Sequence, residues 1–178
     1  MRERASVSMS KRALWGMVVL CAALTVLTLY NYQQRLLCWW LNRKIQVAGV
    51  RLMMPVTEVE ALLGEERENH PGFGGYMLVY PNRGIALTLL SDGGTDFYHK
   101  VSEIKVTDPS HAVFGVRVGD SAETARRAFQ DYGFSEEREG HTGLWKLNSF
   151  VTYEVGGSGA VTAISVGIKD RVAQSRVY

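Results

Sequence analysis

The chain has 178 residues, of which 46% are apolar, and this length fits one domain with an added segment. Its net charge of +2 conceals an asymmetry, because residues 1–44 contain seven basic residues and one acid, whereas residues 45–178 contain 13 basic and 17 acidic residues. Nucleic-acid binding requires a basic surface, so the mildly acidic C-terminal part argues against nucleic acid as a partner.

An apolar segment near the N-terminus predicts a membrane anchor. The eighteen residues Ala13–Tyr30 contain no charge, and as a helix they would extend about 27 Å, which is enough to cross a bilayer core. We therefore assign residues 1–12 to a basic cytoplasmic tail and residues 13–32 to a transmembrane helix. A cleaved signal peptide is the alternative, but cleavage after Ala23 would leave an apolar N-terminus followed by two tryptophans.

The flanking charges and the cysteines predict the orientation of this anchor. Four basic residues precede the apolar segment and three follow it, which favours a cytoplasmic N-terminus. Both cysteines, Cys21 and Cys38, lie before residue 45, so the remainder of the chain has no thiol that could mispair in an oxidising compartment. We expect a single-pass protein of the cell membrane with an extracytoplasmic C-terminal domain.

Residues 33–47 form a predicted juxtamembrane segment with several large apolar side chains. Its sequence is compatible with two arrangements. A helix could lie on the lipid surface, or the transmembrane helix could continue into the headgroup region.

The rest of the chain contains an internal repeat, with copies at residues 48–110 and 111–170 and a tail at 171–178. The copies open with Gly49-Val50-Arg51-Leu52 and Gly115-Val116-Arg117-Val118, which are 66 positions apart. Each opening precedes apolar residues spaced as on one face of a helix. These residues are Val56, Val59, Leu62 and Leu63 in the first copy and Ala122, Ala125, Ala128 and Phe129 in the second. The expected N-cap of the second helix is Asp120.

Strand-like segments bounded by turn residues follow each predicted helix. They are Tyr76–Tyr80, Ile85–Leu90 and Val101–Val106 in the first copy, and Leu144–Leu147, Phe150–Val155 and Val161–Val166 in the second. The predicted fold is thus α+β, with an N-terminal transmembrane helix followed by a tandem repeat of one helix and a three-stranded antiparallel meander. The strands could form two adjacent sheets or one continuous sheet.

The helix, the meander and the closing V-x-x-I-x-V pattern together resemble the small α+β module of the BamE/SmpA family. The residues that carry the resemblance are Gly49–Gly64 with Val101–Val106, and Gly115–Gly133 with Val161–Val166. Two such modules in tandem are similar in arrangement to β-lactamase inhibitory protein. The resemblance implies a non-catalytic module that binds other proteins at the cell envelope. This chain differs from the family in lacking a lipoprotein signal.

Residue types that carry chemistry are scarce in the predicted domain. The histidines His70, His99, His111 and His141 lack metal-ligand spacing and lie in turn-rich segments. The glycine clusters precede or join strands, whereas a phosphate-binding loop follows a strand and opens a helix. We therefore predict a protein that is not an enzyme and has no cofactor, no metal and no catalytic residues. An enzyme that combines Ser, His and carboxylates distant in sequence is the competing hypothesis.

Aromatic residues provide the candidate binding site. The expected binding residues are Tyr76, Tyr80, Trp145 and Tyr153, and a sheet face that carries some of them would contact another envelope protein. The alternative function is a small-ligand sensor or carrier with a pocket between the two repeats.

Overall fold

The computed structural model describes residues 11–65, 67–72, 74–135 and 143–170. The chain divides into two compact units, Met1–Gln33 and Gln34–Tyr178. Residues 1–10 of the predicted basic tail and the predicted tail at residues 171–178 lie outside the described residues.

The first described element is a long helix, α1, which begins at Lys11 and ends at Asn42. Between Leu14 and Leu29 its large apolar side chains are exposed. In the described part of the chain, no single helix satisfies both the length and the composition that a membrane crossing requires. Two consecutive parts of α1, Leu14–Leu29 and Tyr32–Asn42, satisfy the length and composition criteria only when they are counted together.

The second unit combines short helices with nine strands in the described residues. In chain order its elements are β1 (Ile45–Gln46), α2 (Val56–Leu63), β2 (Glu68–Gly72), β3 (Gly75–Tyr80), β4 (Ile85–Leu90), β5 (Val101–Val106), β6 (Ala112–Val113), α3 (Ala122–Asp131), β7 (Leu144–Lys146), β8 (Ser149–Val155) and β9 (Val161–Ile168). A 3₁₀ turn at Pro81–Arg83 connects β3 to β4. The α+β class expected from the sequence is confirmed.

Seven of these strands form one continuous antiparallel sheet in the order β2-β3-β4-β5-β9-β8-β7. Its centre is the pair β5 and β9, in which Ile104 lies opposite Val166, Lys105 opposite Ser165, and Val106 opposite Ile164. Strands β1 and β6 form a separate two-stranded sheet. Of the two sheet arrangements compatible with the sequence, the continuous one is observed.

One face of the large sheet is covered by both short helices. Val59 and Leu63 of α2 and Phe129 of α3 belong to the same buried cluster as the alternate residues of the strands, such as Leu87 and Ile104. The period of two along a strand places every second side chain on this helix-covered face.

Strand β2 does not match any predicted element. Its residues Glu68–Gly72 are all exposed, and they pair with β3 along the edge of the sheet. A proline is compatible with this edge position because only one side of the strand needs to donate hydrogen bonds, and Pro71 occupies it.

The C-terminal part of α1, residues 34–42, belongs to the core of the second unit. Leu37, Cys38 and Leu41 are buried in the main hydrophobic cluster, and the ring of Trp40 lies 5.6 Å from that of Phe114. This packing differs from both arrangements predicted for residues 33–47, because neither of them buries the segment in the core of the domain. Cys38 is therefore an interior apolar residue of the domain.

The residues just before α2 are hydrogen-bonded to the start of β5. Met53 N donates to Val101 O over 2.8 Å, and Val101 N donates to Met54 O over 3.0 Å. At the start of α2, Val56 N donates to His99 O over 3.1 Å. These bonds fix the start of the helix against the beginning of β5.

The residues before α3 are bound to β9 in the corresponding way. Gly119 N donates to Val161 O and Val161 N donates to Asp120 O, both over 2.8 Å. Ala122 N donates to Gly159 O over 3.1 Å. The N-cap is Ser121, whose side chain accepts a hydrogen bond from the backbone of the helix, so the prediction of Asp120 as the cap was wrong by one residue.

We predict that Leu41→Ala destabilises the domain, because Leu41 is fully buried. The expected loss is about 2–5 kcal/mol in the free energy of unfolding, as for other large-to-small core substitutions. Urea unfolding of residues 34–178 measures it. Leu36→Ala, on the exposed side of the same helix, is the matched control and should cost about 0.5 kcal/mol or less. Equal effects of the two substitutions would contradict the packing described here.

Candidate binding surface

The four aromatic residues predicted to bind a partner do not share one face of the sheet. Tyr80 and Tyr153 belong to one row of paired residues that crosses the sheet on the helix-covered face, and Tyr76 lies on the same face of β3. Trp145 pairs with Phe150 on the opposite face. Three of the four residues therefore share one face, and the strand register places the tryptophan on the other.

Two of the four residues are interior. Tyr80 is 2% exposed and Trp145 is 6% exposed, so neither is available to a large partner. Tyr153 is partly exposed, and its ring lies 5.9 Å from that of Phe129 in α3. Tyr76 is also partly exposed.

No described helix covers the face opposite α2 and α3, and its side chains are most exposed on β2 and β3. We call it the open face and define it by two rows of paired side chains. The first row is His70, Met77, Thr88, Glu103, Gly167, Phe150 and Trp145, and the second is Glu68, Val79, Ala86, Lys105, Ser165 and Thr152.

The open face combines an apolar patch on β3 and β4 with charged groups on β5 and at its edge. Met77 is 37% exposed, and Val79 and Ala86 beside it are half-buried. Lys105 Nζ lies 2.6 Å from Glu154 Oε1, so this pair bridges β5 and β8 across β9. At the outer edge, His70 Nε2 lies 3.0 Å from Glu68 Oε2. Mixed apolar and polar composition is typical of protein-binding surfaces.

Two grooves are lined in part by residues of the open face. One has a volume of about 260 Å³ and is lined by Met77, Val79, Ala86 and Lys105, among others. The second has a volume of about 370 Å³. Its lining includes Thr88 and Glu103 from the first half and Phe150 and Lys169 from the second.

The ring of Phe150 forms part of this surface because β9 has a glycine beneath it. A Cβ atom at Gly167 would lie 2.7 Å from the Phe150 ring and 2.9 Å from Ser102 O. The ring therefore packs directly on the backbone of β9. A larger residue at this position would lift the ring and deform the groove.

A second exposed cluster lies beside β3 and was missed in the sequence. Tyr76 Oη and His99 Nδ1 are 3.0 Å apart, and the rings of Tyr98 and His99 are 4.2 Å apart between centroids. Tyr98 is 47% exposed. Partial burial raises the pKa of the Tyr76 hydroxyl. No periodic pattern marks the loop before β5, so only the adjacent aromatic and imidazole side chains could have indicated this cluster.

The histidines and acidic residues of the described part of the chain are dispersed. No group of three His, Cys, Asp or Glu side chains within them is close enough to hold a metal ion. His70, His99 and His111 lie in separate parts of the unit, and His141 lies outside the described residues.

Comparisons with known proteins give little further information. No protein-family model matches the chain, and no curated protein matches it. Among solved structures, the chain is similar to an extracellular protein containing an SCP domain from Bacillus anthracis, with 11% sequence identity and a TM-score of 0.44. The similarity covers 66% of this chain and 44% of the Bacillus protein.

We predict that Tyr80→Phe raises the stability of the domain by about 1 kcal/mol. The Tyr80 hydroxyl is buried and has no hydrogen-bond partner among the described residues, so its removal relieves a desolvation cost. Tyr76→Phe is the matched control, and it should lower stability by about 0.5 kcal/mol because it removes the bond to His99. Urea unfolding at neutral pH compares the two variants.

The Tyr80→Phe variant should also differ from wild type in the pH dependence of its stability. Burial raises the pKa of Tyr80 above its ordinary value near 10, so the folded state retains a proton that the unfolded chain releases. This titration leaves stability unchanged below about pH 10, and stability falls as the pH rises from there through the folded pKa. The Tyr80→Phe variant should therefore lose less stability than wild type above about pH 10. An identical decline in both proteins would contradict this assignment.

Proposed function

We propose that this chain is a single-pass membrane protein whose extracytoplasmic α+β domain binds another envelope protein through the open face. The observation that carries the proposal is the one-sided coverage of a seven-stranded sheet. Both short helices pack on the same face, and the opposite face presents Met77, Val79 and two grooves. A partly apolar sheet surface that no described helix covers is suited to binding a protein partner.

The anchor is supported by the composition and exposure of the first half of α1. Large apolar side chains from Leu14 to Leu29 are exposed, including Val19 and Val26. A helix that is apolar on all sides is stable in lipid, whereas in water its apolar side chains would be exposed to solvent. The excess of basic residues before the helix supports the cytoplasmic N-terminus.

The burial of Cys38 also fits an extracytoplasmic domain. The second unit begins at residue 34 and therefore contains one cysteine, whereas the chain from residue 45 onward contains none. Cys38 is 3% exposed, so it is protected from oxidation and mispairing by its neighbours in the core.

Two copies of one ancestral module would explain the backbone contacts of both helices. Met53 and Gly119 are 66 positions apart and both have positive φ angles. Each donates a hydrogen bond to the valine that begins a closing strand, Val101 or Val161, which are 60 positions apart. The same two offsets relate the sequence motifs, so independent features of sequence and backbone support the tandem arrangement.

The central strand pair provides a third argument for the tandem arrangement. Lys105 and Ser165 are related by the 60-residue offset and lie directly opposite each other. Ile104 pairs with Val166 and Val106 with Ile164, as a two-fold axis through the centre would require. The tandem supports the resemblance to BamE/SmpA-like modules and to β-lactamase inhibitory protein, and with it a non-catalytic binding role.

Ligand binding is the second candidate function, and the groove of about 370 Å³ favours it. The groove is lined by residues of both halves and has the size of a small-molecule site. A small molecule that raises the melting temperature of the domain would favour this reading.

We predict that Met77→Glu disrupts binding of the protein partner. The full chain, purified from detergent-solubilised membranes, should retain one partner in stoichiometric amount, and the substitution should lower its recovery about tenfold by placing a charge in an apolar contact. Leu62→Glu is the matched control, because Leu62 is an exposed leucine of α2 on the other side of the domain. Circular dichroism confirms that both variants fold.

The opposite pattern would contradict the proposal. If Leu62→Glu removed the partner and Met77→Glu retained it, the helix-covered side would be the binding surface. If no partner were recovered with either variant or with wild type, the small-ligand function would gain support instead.

A further inference from the structure

We infer that the exposed side of residues 34–43 is embedded in the headgroup layer of the bilayer, so that the domain rests on the membrane surface. This interfacial face consists of Leu36, Trp39 and Arg43. The inference deepens the proposed function and rests on the anchor proposed there, but a different set of residues carries it.

The helical segment is apolar on two opposite sides. Leu37, Cys38 and Leu41 are buried in the domain, whereas Leu36 is 55% exposed and Trp39 is 61% exposed. At 100° per residue, the two exposed positions lie on the side of the helix opposite the buried ones. One apolar side is covered by the domain core, and the other requires a second apolar environment.

The exposed side has the chemistry of a membrane interface. The guanidinium carbon of Arg43 lies 4.9 Å from the centroid of the Trp39 ring. Tryptophan is enriched at the headgroup level because its ring is apolar and its N–H is polar. An arginine beside it can extend its charged end to lipid phosphates while its aliphatic part stays in the apolar layer.

Two further lysines lie against Tyr132 and Trp40, aromatic rings that pack on the domain core. Lys44 Nζ lies 5.1 Å from the Tyr132 ring centroid, and Lys146 Nζ lies 4.2 Å from that of Trp40. No described carboxylate forms an ion pair with Arg43, Lys44 or Lys146. Arg43 is the cation of the interfacial face itself, and its charge is complementary to the phosphate groups of phospholipids.

Position along the chain identifies lipid, and not a second protein, as the occupant. The uncharged run Ala13–Tyr30 ends only six residues before Leu36. If that run spans the bilayer, the interfacial face has to lie within a short distance of the headgroups. The same lipid layer can then cover Leu36 and Trp39.

Fluorescence quenching by brominated lipid tests the inference on the full chain. The protein is reconstituted in phosphatidylcholine vesicles with and without bromine near the headgroup end of the acyl chains. The Trp15→Phe variant leaves three of the four tryptophans, and bromine should quench about one third of its emission, the share of Trp39. Adding Trp39→Phe should abolish the quenching. Adding Trp40→Phe, the matched control, should preserve it, because Trp40 packs inside the domain.

The outcomes distinguish the placement of Trp39 in the headgroup layer from the insertion of the apolar helix that contains Trp15. In the Trp39→Phe single variant, Trp15 reports insertion of the apolar helix. Quenching of Trp15 without quenching of Trp39 would overturn the inference and leave the anchor intact. Absence of quenching at both positions would overturn the anchor as well. Quenching of Trp39 by aqueous iodide, with no effect of bromine, would indicate a surface exposed to solvent or to a protein partner.

Discussion

The pairing of β5 with β9 is the contact on which the rest of the fold depends. Each half of the second unit has about 60 residues, too few to bury an adequate core alone. The central pair joins the two groups of strands into one sheet, on which α2 and α3 cover a shared cluster that includes Leu87, Ile104 and Val166. Both helices then occupy the same face, and no described helix covers the opposite one.

One-sided coverage also explains how the domain could combine stability with binding. The core on the covered face needs no partner, and Phe150 closes part of the other face by packing on Gly167. The surface around Met77 and Val79 contributes little to that core. The domain can therefore use it for recognition without loss of stability. Residues 34–42 add a third contribution, because they connect the core to the region proposed to meet the membrane.

The sequence predicts the elements with strong periodicity. Strands β4 and β5 have the predicted bounds, since their apolar residues alternate, and α2 and α3 begin where the helical spacing begins. Strand β2 escapes prediction because its edge position needs no apolar pattern. The site was harder to predict. Trp145 and Tyr80 lie on opposite faces of the sheet. The sequence pattern does not reveal this, because a shift of one residue in register moves a side chain to the other face. The burial of Leu37 and Leu41 depends on tertiary contacts that local sequence does not encode.

Photo-cross-linking in intact membranes tests the central claim, that the open face contacts a protein. A photoreactive residue is introduced at Val79 or Thr152 on the two sides of the open face, and at Glu58 on α2 as the comparison. The account predicts one cross-linked partner of the same mass from both open-face positions and none from position 58. Cross-links from position 58 alone would place the binding surface on the helices and contradict it.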